Sequence, residues 1–176
     1  AAPHRQAASQ FERGAALARL GLEPQAADNT SRFGTAFTVS VDAAATSTGV
    51  SAHDRALTIR ALSDPRTRPE DMLRPGHVFP IHAVEGGVLR RAGHTEASVT
   101  LCALAGLPPV GVICEILDAD GNSARGAALG EIARRLNMPI LTIADLMAQA
   151  ALLPTWPTAA ASRRASASLP TEFGTF

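Results

Sequence analysis

The stretch that decides the fold is Val88–Pro109, VLRRAGHTEASVTLCALAGLPP, together with the segment that follows it, Val110–Leu117, VGVICEIL. The first part gathers two arginines, a histidine and a glutamate around one glycine. The second part is an apolar run that ends at Gly106 and two prolines, which predicts a buried helix with a defined end. The near-continuous apolar segment after it predicts a buried strand. Ionisable groups are therefore concentrated at the N-terminal end of a predicted buried helix.

The rest of the chain alternates between helix and strand patterns. Phe37, Val39 and Val41 alternate with polar residues, which predicts a half-buried strand, and Ser51 is placed to cap a helix that Pro65 closes. The alternation favours a layered α/β or α+β sheet domain. The other predicted helices cover 11–24, 124–137 and 144–153, and the other predicted strands cover 77–83, 138–143 and, less clearly, 86–90.

Composition restricts the class of protein and of partner. The chain has 176 residues, of which 46% are hydrophobic and 18% charged, as in a soluble globular domain. Sixteen basic residues balance sixteen acidic ones, so no overall field favours nucleic acid or a membrane surface. The two cysteines, Cys102 and Cys114, lie in apolar runs, which indicates reduced thiols and a cytoplasmic location. We expect neither nucleic acid nor a membrane as a partner.

The helix entrance is a candidate anion site. If the helix begins near Thr95, its first backbone N–H groups and the positive end of its dipole face the preceding loop, and Arg91 adds a forked cationic donor suited to phosphate. His94 could then bind a metal or carry a proton. The alternative is an ordinary helix start, with Thr95 as the N-cap and Glu96 complementing the dipole.

Three further positions carry candidate chemistry. Glu115 interrupts an apolar strand pattern, where a buried carboxyl could act as a general acid or base, or could pair with an arginine at a strand end. His77 lies in a loop between two prolines, where it is either functional or simply exposed. The turn around Thr48, TSTGVSAHDR, offers hydroxyls at another helix start but lacks the spacing and the lysine of a phosphate-binding loop.

Taken in order, several segments resemble one family, 3,4-dihydroxy-2-butanone 4-phosphate synthase of riboflavin biosynthesis. They are NTSRFGTAFTVSVDA, TSTGVSAHDRALTIRAL, RPGHVFPIHA, GGVLRRAGHTEASVTLCALAGLPPVGVICEIL and MPILTIADLM, and they cover most of 29–147. The resemblance implies an α+β fold with a mixed twisted sheet between helical layers. It also implies a lyase that uses Mg²⁺ (or Mn²⁺) to convert D-ribulose 5-phosphate into L-3,4-dihydroxy-2-butanone 4-phosphate and formate, as a homodimer.

The resemblance also assigns roles to residues of this chain. His77 and Glu115 match the two residues that the family uses for proton transfers, and His94 matches a metal ligand. The positions implied to contact substrate are Arg91, Ala92, Gly93, His94, Thr95, Glu115, Thr48 and Asp54.

The resemblance fails at the N-terminus. The family has an acidic run of the type DxxxRENEGD, whose glutamate is the other protein ligand for magnesium, and no such run precedes Asn29. We therefore expect a synthase-like domain over 1–153 without its acidic loop and first strands, a linker over 154–168, and the start of a GTP cyclohydrolase II-like domain over 169–176. Such a fragment should have little activity by itself. The alternative function is a non-catalytic synthase-like domain that serves dimerisation or regulation.

Overall fold

The computed structural model describes residues 15–152 and two short strands near the C-terminus, Pro170–Thr171 and Gly174–Thr175. The helices and strands of the main body come in the order α1, β1, α2, β2, α3, α4 and α5. Their bounds are Ala15–Arg19 (α1), Val41–Ala43 (β1), Ala52–Ser63 (α2), Met72–Val78 (β2), His94–Leu104 (α3), Ala127–Leu136 (α4) and Ile143–Ala151 (α5). Helices beside an antiparallel strand pair fit the expected α+β class.

β1 and β2 form an antiparallel pair with a wide bulge. Val41 pairs with Val78, but the next residue, Asp42, pairs with Leu73, so residues 74–77 of β2 loop out of the ladder. Gly76 lies in this loop where a Cβ would overlap the Val41–Asp42 backbone, and only glycine permits such an approach. The bulge therefore presents His77 at the edge of the pair.

The polar face of the segment before and within β1 is buried, which corrects the prediction of a half-buried strand. Thr38, Ser40 and Asp42 are all buried. Their side chains bond to the chain around β2: Ser40 Oγ accepts from the Gly76 N–H at 3.2 Å, and Thr38 Oγ1 donates to the Pro80 carbonyl at 3.3 Å. Buried polar groups need such partners, so this stripe fixes the course of residues 76–80.

The helices that carry clear cap signals are confirmed. Ser51 caps α2, its Oγ accepting from the Asp54 N–H at 3.0 Å, and Thr142 caps α5 in the same way through Asp145. α4 ends at Asn137 in the left-handed region, a conformation that asparagine tolerates better than most residues. The segment 86–90, a weak strand candidate, instead contains the 3₁₀ turn Gly87–Leu89.

Two small apolar clusters form the core. The first joins β1, β2, α2 and the segment after α1 through Leu20, Leu22, Val41, Leu62 and Met72. The second packs α5 against α3 and the 3₁₀ turn through Val88, Ala97, Leu146 and Ala150. Together the two clusters hold the elements from which the candidate site is built.

The strands predicted over 110–117 and 138–143 do not form in the described residues, where β1 and β2 make the only sheet of the main body. Sequence periodicity reports that a segment suits a strand, but a strand also needs a neighbour for its backbone groups. No described segment forms a ladder with 110–116; Leu117 makes an isolated bridge with Ser123. Val112, Ile113, Ile116 and Leu117 remain exposed as a result.

The expected domain boundaries fall largely outside the described residues. The proposed linker, 154–168, lies wholly outside them, and the strands Pro170–Thr171 and Gly174–Thr175 form an antiparallel pair within the last predicted unit. Among the described residues, none of the helices combines the length and the apolar character needed to cross a membrane.

Candidate active site

Asp42 and His77 form the most closely defined pair of functional groups in the structure. Asp42 Oδ1 accepts from the backbone N–H of His77 at 3.0 Å, and Oδ2 lies 2.7 Å from His77 Nδ1. The Asp42 side chain is only 10% exposed, whereas that of His77 is 48% exposed. The pair therefore joins a buried carboxylate to an imidazole that is open to solvent on its other side.

The turn before α2 closes against this pair. Gly49 is buried with φ +80°, and an added Cβ would overlap the Asp42 carboxylate and lie 2.7 Å from His77 Nδ1. Asp54 holds the turn, accepting from Ser47 Oγ at 2.8 Å and from the Gly49 N–H at 3.2 Å. These hydrogen bonds, with that of the Ser47 hydroxyl first, lower the pKa of Asp54. Thr48 stays exposed beside His77.

The entrance of α3 is organised by a buried ion pair. Glu96 is fully buried; its Oε2 accepts from Arg91 Nη1 at 2.8 Å and its Oε1 from the Val84 N–H at 2.9 Å. A Cβ on Gly93, the N-cap residue, would lie 2.6 Å from Glu96 Oε2. Gly93 is therefore required at the helix start, because a side chain there would collide with the Arg91–Glu96 ion pair.

The alternative of an ordinary Thr95 cap is wrong, because the helix begins at His94, its N-cap residue is Gly93, two residues before Thr95, and it has no side-chain cap. Within residues 15–152 no hydrogen-bond acceptor is found for the backbone N–H groups of His94, Thr95 and Glu96. Ala92 and His94 are exposed, and Thr95 is half-buried. Free N–H groups at a helix start are suited to an anion. His94 and Thr95 are exposed or partly exposed and can offer theirs, whereas Glu96 is fully buried.

Glu115 lies on the exposed segment 111–117, so the burial expected for it in a strand is not present in the described residues. The N-terminal end of this segment contacts α3. Cys102 Sγ donates to the Val110 carbonyl at 3.5 Å, and Gly111 packs against Ser98. Burial of the Cys102 thiol raises its pKa, as suits a packing residue rather than a nucleophile.

A cavity of about 480 Å³ separates α2 from α3. His77 and Thr95 are both among its lining residues, and the rest of the lining is mostly apolar, from residues 16–20, α2, residues 78–83 and residues 109–113. Of the predicted site residues, these two share the cavity. Arg91, His94, Glu115, Thr48 and Asp54 do not line it.

The described residues do not supply a magnesium site by themselves. Among them, no group of three or more His, Cys, Asp or Glu side chains is placed to hold a metal ion. His94 offers one exposed imidazole, and the nearby Glu96 carboxylate is already bonded to Arg91 and Val84. Mg²⁺ binds through oxygen ligands, mainly carboxylates and water, so this donor set does not fit Mg²⁺ without further ligands.

Two residues that organise the site were not among the predicted site residues. Asp42 was assigned to a solvent-facing strand position, and Glu96 to the helix dipole. The sequence holds one signal for Asp42. It is the last polar residue of a segment in which polar residues alternate with strongly β-forming apolar residues. No sequence signal distinguishes a buried Glu96 from an exposed one.

Comparison with known proteins identifies the family of this chain. The model of the 3,4-dihydroxy-2-butanone 4-phosphate synthase family matches residues 12–149. The riboflavin biosynthesis protein RibBA of Bacillus cytotoxicus is 50% identical over 158 residues, which are 90% of this chain and 39% of that protein. The chain therefore spans about two fifths of the length of this curated relative.

Solved structures show the same similarity. The 3,4-dihydroxy-2-butanone 4-phosphate synthase of Candida albicans is 38% identical, with a TM-score of 0.70, over 80% of this chain and 71% of that chain. A synthase of the same name in complex with two magnesium ions is 41% identical, with a TM-score of 0.67, over 76% of this chain and 68% of that chain. On these matches in sequence and structure, the chain belongs to the 3,4-dihydroxy-2-butanone 4-phosphate synthase family.

Proposed function

We propose that this chain carries the synthase part of a riboflavin-biosynthetic enzyme, a lyase that converts D-ribulose 5-phosphate into L-3,4-dihydroxy-2-butanone 4-phosphate and formate. The observation that carries the proposal is the entrance of α3, where RAGHTE presents the free backbone N–H groups of His94 and Thr95 beside Arg91. Family membership supports the same reaction.

Each predicted residue has a proposed task. The N–H groups of His94 and Thr95 bind the phosphate together with Arg91, whose Nη2 bonds only weakly to the Phe33 carbonyl at 3.4 Å. His77 transfers protons at the substrate carbons, and Glu115 is the second proton-transfer group. Ala92, Gly93, Thr48 and Asp54 shape the surface around the substrate.

A divalent cation, Mg²⁺ or Mn²⁺, is part of the proposal, with His94 as its ligand from this chain. The magnesium complex of a related synthase supports divalent metal use. When bound, such an ion stabilises negative charge on substrate oxygens. Because the described residues do not complete its ligand set, we propose that the acidic segment characteristic of the family supplies the carboxylates.

The test is formate release from D-ribulose 5-phosphate by this chain fused to the acidic segment of a family member. We expect release that EDTA abolishes and MgCl₂ restores. His77→Asn and Glu115→Gln should each abolish it, whereas Arg125→Gln, an exposed position outside the site, should not. Formate release by either the His77 or the Glu115 variant at the rate of the unsubstituted fused protein would contradict the proposed role of that residue.

A second candidate function is a non-catalytic domain that retains the scaffold for dimerisation or regulation. The incomplete donor set around His94 favours it. Ribulose 5-phosphate binding to the fused protein without formate release at any metal concentration would favour this candidate over the lyase.

We also propose a homodimer in the cytoplasm. The family resemblance implies the dimer, and the two free cysteines, Cys102 and Cys114, fit a reducing compartment. Light scattering of the fused protein at micromolar concentration should give twice the monomer mass. A monomer under those conditions would contradict the dimer.

A further inference from the structure

We propose that Asp42 is the positioning residue for His77: it holds the imidazole with its proton on Nδ1, so that Nε2 is the atom that accepts a proton from the substrate. The inference deepens the proposed function and rests on it for the identity of the substrate. Its structural part, the tautomer and orientation of His77, can be tested independently of any turnover.

The first argument is that both oxygens of Asp42 are used by one residue. Oδ1 accepts from the His77 backbone N–H at 3.0 Å, which fixes the main chain, and Oδ2 lies 2.7 Å from Nδ1, which fixes the ring. The two contacts together define the position and the rotation of the imidazole. A carboxylate that only stabilised the bulge would need the first contact and not the second.

The second argument concerns the proton. An ionised carboxylate accepts hydrogen bonds and donates none, so at 2.7 Å its partner Nδ1 must carry the hydrogen. In the neutral ring Nε2 then has the free lone pair. The His77 side chain is 48% exposed and borders the cavity between α2 and α3, so the reactive nitrogen has access to a ligand while Nδ1 is covered.

The third argument is that the surroundings keep the pair in this arrangement. Ser40, two residues before Asp42 on the same face of the chain, holds the bulge through the Gly76 N–H. Gly49 packs directly on the Asp42 carboxylate and His77 Nδ1, and Asp54 in turn holds the Gly49 N–H. Water is therefore excluded from the Asp42 side of the ring, where it would compete for the Nδ1 proton.

The consequence for the proposed reaction is a balanced proton transfer. Nε2 takes a proton from a C–H or O–H group of the bound sugar phosphate, the electron pair stays on the substrate, and the ring becomes an imidazolium. Asp42 stabilises that cation through its ionised carboxylate and does not itself take up the proton. His77 returns that proton from Nε2 in a later step, and Glu115 serves the other proton transfers of the proposed reaction.

The test is a nitrogen-15 NMR measurement of the His77 tautomer in the full chain at about pH 8.5, where an ordinary imidazole is neutral. The chain has five histidines, and a His77→Gln spectrum identifies the signal. We expect wild-type His77 to be protonated mainly on Nδ1 and Asp42→Asn to lose that preference, because one amide oxygen cannot accept from both N–H groups. A wild-type ring protonated on Nε2 overturns the proposal by itself, whether or not the variant folds.

Ser40→Ala is the matched control, because it removes a buried hydrogen bond of the same bulge without touching the ring. It should keep the Nδ1-protonated tautomer; loss of the tautomer in both variants would show that Asp42 acts only through the bulge, which overturns the proposal. In the fused protein, Asp42→Asn should lower kcat about 100-fold with little change in KM. If no form releases formate, the proposed function fails while the tautomer result stands.

Discussion

Glu96 shows how one buried side chain can determine a local motif. Its carboxylate has no exposure and depends on Arg91 and the Val84 N–H for its hydrogen bonds. A charged group in such a position is costly unless it is paired, which explains why arginine, glycine and glutamate occur together at the start of α3. Arg91 is therefore both a structural partner and a candidate phosphate ligand.

Replacing Arg91 should show how much it contributes to stability, apart from its proposed role in phosphate binding. Arg91→Met leaves the buried Glu96 carboxylate with one hydrogen bond fewer, which should lower the free energy of unfolding by about 1–3 kcal/mol. Arg90→Met, at the exposed neighbouring position, should change it by less than about 0.5 kcal/mol. Urea denaturation measures both. Equal stability of the two variants would show that the Glu96 pair does not anchor the helix.

Asp54 provides a prediction about pH. Its pKa in the folded chain is lowered from the ordinary value of 3.8, chiefly by the Ser47 hydroxyl. A depressed pKa contributes stability that is present above the ordinary pKa and is lost as pH falls through the folded value. Wild type should therefore exceed Asp54→Asn in stability most at pH 7, and the difference should shrink below about pH 4. A difference that is constant from pH 7 to pH 3, measured by urea midpoints, would contradict the assignment.

Candidate site residues can be named from sequence where an ordered motif carries them and not where burial decides them. RPGH and RAGHTE mark His77, Arg91 and His94 as candidates, and their roles stay predictions. Asp42 was missed because alternation places it on a polar face, and a polar face predicts solvent. Only the fold shows that this face lies beneath the bulge of β2.

At the scale of elements, the turn before α2 acts as a cover for the Asp42–His77 pair. Gly49 and Gly121 have nearly the same φ, +80° and +82°, but nothing lies within 4 Å of a Cβ on Gly121, whereas a Cβ on Gly49 would meet Asp42 and His77. Comparing substitutions at the two glycines therefore separates the effect of the backbone conformation from the effect of packing.

Alanine at the two positions should differ in stability. Both variants pay for a left-handed residue, about 1–2 kcal/mol, and Gly49→Ala should lose about 1–3 kcal/mol more from overpacking. Gly49→Ala should also disturb the His77 tautomer, and Gly121→Ala should not. Thermal denaturation and the NMR measurement above check both parts. Equal losses of stability in the two variants would mean that the turn before α2 does not pack tightly against the Asp42–His77 pair.

Helices were more predictable than strands for a physical reason. α2 and α5 carry their own start signals in Ser51 and Thr142, and a helix satisfies its backbone within the segment. The segments 110–117 and 138–143 have equally clear apolar patterns, but a strand requires a second segment. Sequence periodicity cannot say whether that partner lies within the same chain.

At the scale of the whole molecule, the main irregularity is the segment 110–116, which pairs with no strand among the described residues. Val112 is 67% exposed and Leu117 is 57% exposed, which is unusual for an apolar stretch that should be buried in a sheet. We expect the first strands of the family, supplied by fusion, to pair with this segment and to bring Glu115 into the site.

Hydrogen exchange can test this pairing. In the chain alone, the backbone amides of 111–116 should exchange rapidly, whereas those of 58–62 in α2 should be protected. In the fused protein the protection of 111–116 should rise markedly, and that of α2 should change little. Unchanged exchange in 111–116 would show that the added segment does not form a strand beside it.

Formate release from D-ribulose 5-phosphate in the presence of Mg²⁺, compared between this chain and the fused protein, tests the central claim most directly. Magnesium needs a set of carboxylate ligands that the described residues do not bring together, whereas the proposed phosphate site and His77 lie within them. We therefore predict negligible release by the chain alone and Mg²⁺-dependent release by the fused protein, abolished by His77→Asn. Release by the chain alone at the rate of the fused protein, or none by either, would contradict the proposal that the described residues carry the phosphate and proton-transfer groups of a synthase site but not its metal carboxylates.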